Sequence, residues 1–285
     1  MICKILAALD NSDCGRSAGK YAAYLGAELN AGVEALTVVD IRPLEGPILR
    51  DFTAHLGLEP FETYTQALRD VLQQRADDVL ELFRQDAAAQ SLDPERVSAG
   101  SELGIVAETI CRRANSADLV VIGQFGESPA ASGGLLGSTS EQVVRRTNRP
   151  VIVCPPMFRP ITKALVAYDA TPKAEDALHV AADFAAQLGI ALTVLVVQDG
   201  EQVDEERATR IREQAERYLS NAHLRAEFSV VEGNPEEVII DSADKGDHDL
   251  VAMGAFGHGR IRQLFVGSVT AHVMRSSKVP VLLSR

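Results

Sequence analysis

No apolar run in this sequence of 285 residues approaches the ~18 residues that a membrane span needs. Positive charge is scarce too: 28 Lys and Arg stand against 40 Asp and Glu, for a formal charge of −12. That balance offers no electrostatic footprint for DNA or RNA, and because it is scattered it bears chiefly on solubility. The four cysteines, Cys3, Cys14, Cys111 and Cys154, form no C-x-x-C pair and no cluster with histidine. Reduced thiols in a cytoplasmic protein follow as the expectation, with Cys3 and Cys154 as small core residues of apolar strands. His55, His179, His223, His248 and His272 share no metal-ligand spacing. No nucleophile paired with a base is visible, so catalysis is not the leading expectation. The opening "MICKILAALD" is broken by Asp10 and reads as a buried first strand rather than a signal peptide.

The chain does contain a repeat. "GQFGESPAASGGLLGSTSEQVVRRTNRPVIVCP" begins at Gly123, and "GAFGHGRIRQLFVGSVTAHVMRSSKVPVLLSR" begins at Gly254. Each follows an apolar run that starts at Asp118 or Asp249, and each ends in Pro and a β-rich stretch. Upstream, "CKILAALDNS" matches "TKALVAYDAT", and "ALTVVDI" matches "LTVLVVQ". The same order of elements in both halves marks a duplication. Asp10 and Asp169 lie 159 residues apart but Gly123 and Gly254 only 131, so the first half carries 28 extra residues. They fall at about 41–75, where Pro and Gly give way to helical spacing from about Thr63.

Each half alternates five strands with four helices. Runs such as "LVVIG", "PVIVC" and "PVLLS" are apolar throughout, as strands are when both faces of a parallel sheet are covered. The helix pattern in "AEDALHVAADFAAQLG" stops at Gly189. The fold class expected is α/β: two Rossmann-like, doubly wound domains, each with a five-stranded parallel sheet. Three prolines at 155–160 place the boundary there, giving domains 1–157 and 158–285. The two domains are expected to pack against each other, with the final strands "VIVCPP" and "VLLSR" as candidate pairing edges. A further homodimer stays open.

Ligands of such sheets bind beyond the carboxyl ends of the strands. There the first strand of each half ends in Asp10 or Asp169, the fourth in Gly123 or Gly254, and the last helix starts at Gly137-Ser138 or Gly267-Ser268. Glycine allows close backbone approach, and a helix N-terminus offers free N–H groups. Neither loop has the Lys-Ser or Lys-Thr of a P-loop. The aspartate suits an amino group or a ribose hydroxyl rather than phosphate. A nucleotide site results, with base near the Asp and phosphates near the Gly-Ser helix start. Plainer readings stand beside it: the glycines turn the chain, Asp10 and Asp169 cap the next helix, and Arg260 and Arg262 are solvated. Cys14 is read as an inert thiol near the first site.

Both halves resemble the universal stress protein family in its tandem form. The signature G-x-x-G, nine residues, G-[S/T] is met by Gly254, Gly257, Gly267 and Ser268. The resemblance implies ATP binding. By it, Ala167 and Asp169 flank the adenine, Val197 packs on it, Met253 and Gly254 line base and ribose, and Gly257, Gly267, Ser268 and Val269 cradle the phosphates. The first half would use Asp10, Val38, Gly123, Gly126, Gly137, Ser138 and Thr139. It departs from the pattern: ten residues separate Gly126 from Gly137, and its loop carries Glu127 where the other offers His258, Arg260 and Arg262. The second site is therefore ranked the better ATP binder. A regulatory, nucleotide-binding protein of the stress response is the leading function. A slow ATPase, which would need an oriented water and Mg2+, and a non-binding scaffold are the alternatives.

Overall fold

A computed structural model describes residues 2–40, 61–127, 138–200, 203–255 and 267–284. The first half runs β1 (Lys4–Ala8), α1 (Asp13–Glu28), β2 (Gly32–Asp40), α2 (Phe61–Ala89), β3 (Val97–Gly104), α3 (Val106–Ala114), β4 (Leu119–Gly123), α4 (Ser138–Arg146) and β5 (Val151–Cys154). The second runs β6 (Lys163–Ala167), α5 (Pro172–Leu188), β7 (Ala191–Gln198), α6 (Glu205–Asn221), β8 (Glu227–Glu232), α7 (Pro235–Lys245), β9 (Leu250–Gly254), α8 (Ser268–Ser276) and β10 (Val281–Ser284). The strands form one sheet in the order β3-β2-β1-β4-β5-β10-β9-β6-β7-β8. Within each half all pairings are parallel. The halves meet at β5 and β10, which run antiparallel with Leu282 opposite Ile152.

The apolar strands are buried because helices cover both faces. Tyr21 of α1, Phe83 of α2, Leu178 of α5 and Ile211 of α6 fill one face. Ile110 of α3, Val143 of α4, Ile239 of α7 and Met274 of α8 fill the other. Local signals set the helix ends. Ser12 accepts from the Gly15 N–H and Thr171 from the Ala174 N–H, each as an N-cap, while Gly189 closes α5 in the left-handed conformation at φ 65°. Part of the first half's extra length extends a helix: α2 has 29 residues where α6 has 17. The irregular stretch 41–60 lies outside the described residues.

A pair of aspartates repeats at the opposite end of the sheet. Asp118 Oδ2 accepts from the Cys3 and Lys4 N–H groups at 2.9 Å each, and Asp249 Oδ2 accepts from the Thr162 N–H at 3.0 Å. They pin the start of β1 and of β6 beside β4 and β9. Cys154 is buried as expected, but Cys3 is exposed. It sits one residue ahead of β1, outside the strand whose apolar pattern it seemed to open.

The segment between the halves packs on α1. Phe158 meets Tyr21 and Tyr24 edge-on at 4.8 and 5.8 Å. The Tyr21 hydroxyl accepts from the Arg159 N–H at 3.1 Å, and the Tyr24 hydroxyl donates to the Ile161 carbonyl at 3.2 Å. Gln124, buried, donates from Nε2 to the Met274 carbonyl near the end of α8. A side chain that follows the first half's strand-end glycine is thereby bonded to the second half's last helix.

Candidate functional site

Two cavities open at the carboxyl ends of the strands, one in each half. The second measures about 370 Å³ and is bounded by Ala167, Asp169, Val197, Met253, Gly254, Gly267, Ser268 and Val269. These eight come from β6, β7, β9 and the start of α8, brought together because parallel strands present their carboxyl ends on one edge. Gly257 lies outside the described residues, as do His258, Arg260 and Arg262.

Asp169 is oriented by its neighbour. Its Oδ1 accepts from the Thr171 N–H at 3.0 Å and from the Thr171 hydroxyl at 2.6 Å. The cap of α5 is thus Thr171, not Asp169; likewise Ser12, not Asp10, caps α1. The aspartates accept hydrogen bonds from the caps' hydroxyls instead. Between Asp169 and Thr171, Ala170 holds a left-handed φ of 58°. At the far side, Gly267 occupies the cap position of α8 with no side-chain cap bond, so Ser268 opens the helix without capping it. Thr270 ties that helix to β9 by donating to the Gly254 carbonyl at 3.0 Å.

The strand-end glycines have a packing reason. A Cβ on Gly123 would stand 2.8 Å from the Cys14 carbonyl carbon, and one on Gly254 would stand 2.9 Å from Lys173 Cβ. Neither glycine has a positive φ. Close approach of the first turn of α1 or α5, rather than a turn of the chain, requires glycine there.

The first cavity is larger, about 500 Å³, and brings together Asp10, Val38, Gly123, Gly126 and Thr139. Ser138 is the first residue of α4; Gly137 lies outside the described residues. Asp10 Oδ1 accepts from the Ser12 N–H at 3.1 Å and the Ser12 hydroxyl at 2.5 Å. Glu127 closes over the same turn, its Oε1 accepting from the Asn11 N–H at 3.1 Å. Burial pushes the Asp10 carboxyl above its ordinary range; the Ser12 bonds oppose this, and the charge of Glu127 adds to it. Burial also raises the Cys14 thiol, which favours its protonated form.

Sequence reasoning missed several wall residues. In the second cavity these include Asp199, Asn234, Glu236 and Ile239, brought in by β7 and by the start of α7. Asn234 caps α7, accepting from the Glu236 N–H at 2.8 Å. In the first they are Leu72, Arg75, Ala76 and Val79, all on α2. The capping pattern Asp-x-Ser/Thr before each first helix was a readable signal for Ser12 and Thr171. Nothing local marks the α2 residues as wall, because only the packing of that helix over β2 turns them inward. Among the described residues no group of three or more His, Cys, Asp or Glu is set to hold a metal ion. Among them, too, no helix is long and apolar enough to cross a membrane.

The sequence profile of the universal stress protein family matches residues 1–155 and, separately, 160–285. The chain belongs to the universal stress protein family. Universal stress protein Slr1230 of Synechocystis is 29% identical over 99% of this chain and 99% of its own. A crystal structure of a universal stress protein from Archaeoglobus fulgidus DSM 4304 aligns with 99% of this chain and 98% of its own at TM-score 0.76 and 19% identity, a likeness of fold. A shorter universal stress protein, solved in complex with cAMP, aligns with 45% of this chain at TM-score 0.39 and 24% identity.

Proposed function

We propose that this universal stress protein binds ATP in its second half and uses occupancy as a regulatory signal in the stress response. The observation that carries the reading is the second cavity itself. The eight described residues that the family's motif assigns to adenine, ribose and phosphates bound one cavity of about 370 Å³, with an oriented carboxylate at one end and a helix start at the other. Asp169 would accept from the adenine amino group or a ribose hydroxyl. The uncapped N-terminus of α8 would receive the phosphates through its free N–H groups, with Ser268 as a hydroxyl donor. Mg2+ would accompany the phosphates. On this reading domains 1–157 and 158–285 act in the cytoplasm as a pair across β5 and β10, and the second half is the better ATP site of the two because Glu127 stands beside the phosphate end of the first.

The test is a count. Protein purified without added nucleotide is denatured, and released nucleotide is identified and compared with a binding titration using Mg-ATP. About one ATP per chain is expected. Ser268→Asp is the informative variant. An acid in the first turn favours α8 but repels phosphate, so ATP affinity should fall at least about tenfold while the melting temperature holds. No ATP binding by the wild-type chain would overturn the reading. Release of ADP in place of ATP would redirect it toward slow hydrolysis.

A further inference from the structure

The first cavity has a wall that the second lacks. There α2 reaches over the end of β2 and lines the cavity with Leu72, Arg75, Ala76 and Val79. Among the described residues of the second half, Val203 stands on the corresponding side, ahead of the shorter α6, which lines none of the cavity. Arg75 is the one cation among the described residues that line either cavity. Among the described residues it has no ion pair and no hydrogen bond, although the same cavity holds Asp10, Asp40 and Glu127. An unpaired guanidinium, carboxylates and the apolar side chains of Val38, Val79 and Ile110 line one cavity, a donor, acceptor and apolar set that suits a ring with acceptors on one edge and donors on another.

Guanine has that pattern. O6 and N7 form an acceptor pair that matches the fork of an arginine, and N1–H with the exocyclic amino group forms a donor pair that matches a carboxylate. Adenine offers N7 beside an amino donor, so it cannot take both N–H groups of the fork. Glu127, next to Gly126, disfavours a long phosphate chain. We propose that the first-half cavity is a second, distinct ligand site that takes a guanine nucleoside or its monophosphate, with Arg75 reading the O6/N7 edge and a carboxylate of the cavity reading the adjoining edge of N1–H and the amino group. The assignment goes beyond ATP binding by the second half and does not depend on it.

Equilibrium dialysis of the full chain with labelled GMP, with and without saturating unlabelled ATP, tests it. About one GMP per chain is expected to remain bound in the presence of ATP, and AMP should compete about tenfold or more less well than unlabelled GMP. Arg75→Met should weaken GMP binding by about the same factor and leave ATP binding unchanged. Arg75 is an exposed helical position, so folding should be unaffected, and the melting temperature checks this. Retention of the preference for GMP over AMP by Arg75→Met would show that another group reads the base and overturn the assignment. So would full displacement of GMP by ATP, wild-type GMP binding by Arg75→Met, or no GMP binding. Failure of ATP to bind while GMP binds would count against the second-half reading alone.

Discussion

The turn after the first strand is built in two ways in this molecule. In the second half Ala170 takes a left-handed φ of 58°, and the helix that follows carries a side chain at Ala174, which lines the cavity. In the first half no residue of the corresponding turn has a positive φ, and the residue matching Ala174 is Gly15. A Cβ there would stand 2.1 Å from Asp10 Oδ1 and 2.5 Å from the Asp10 carbonyl oxygen. Both turns end in the same hydrogen bonds, Asp to Ser12 or Thr171 and cap to helix. One sequence pattern therefore reaches one geometry by locating its difficulty in different places: backbone conformation in the second half, side-chain space in the first.

The sharpest way to break that comparison is Gly15→Ala, which makes the first half resemble the second in sequence without its backbone. Overpacking against Asp10, including its main chain, should cost about 3 kcal/mol, the upper part of the usual range, in a denaturant melt. A loss below about 0.5 kcal/mol would mean that the first turn adopts the left-handed route when asked. Next in size is Gln124→Ala. Its counterpart is Ala255, and the change removes the buried donor to the Met274 carbonyl across the halves. A loss of about 1–3 kcal/mol is expected, with the junction opening earlier by hydrogen exchange.

Asp10→Asn sharpens the comparison through pH. Burial raises the folded-state value of Asp10 above its ordinary 3.8. A group shifted upward contributes stability in full only below its unfolded value and loses it as pH rises through the folded one. At pH 7 the ionised Asp10 is thus unfavourable to folding, and Asn, which still accepts from Ser12, should raise the melting temperature. The gain should shrink as pH falls and vanish below about 3.8. A lower melting temperature at pH 7 would show that the carboxylate's bonds to Ser12 outweigh its burial. The smallest effect is Ala170→Gly. It relieves a left-handed non-glycine residue but adds freedom to the unfolded chain, for a net gain of about 0.5 kcal/mol measured by the same melt.

The amino-acid sequence by itself determined the duplication, the strand and helix order, and the family. Each rests on patterns repeated along one chain, such as the unbroken apolar strand "LVVIG" and the helix stop at Gly189, whereas the caps at Ser12 and Thr171 were settled by the structure. It also named eight of the residues that bound the second cavity and five of those that bound the first, because in a parallel sheet the carboxyl ends of strands share one edge. Where each strand-end glycine stands was legible, but its reason was not. Gly123 and Gly254 look like ligand or turn residues along the chain, and only the approach of α1 and α5 shows what a side chain would strike. The exposure of Cys3 and the reach of Gln124 to Met274 were likewise decided in three dimensions. So was the cavity wall of α2: its 29 residues carry no local mark that separates Arg75, which lines the cavity while exposed, from its neighbours that do not. Burial and cavity walls depend on which surface packs over which, and that is set by distant parts of the chain that no local pattern records.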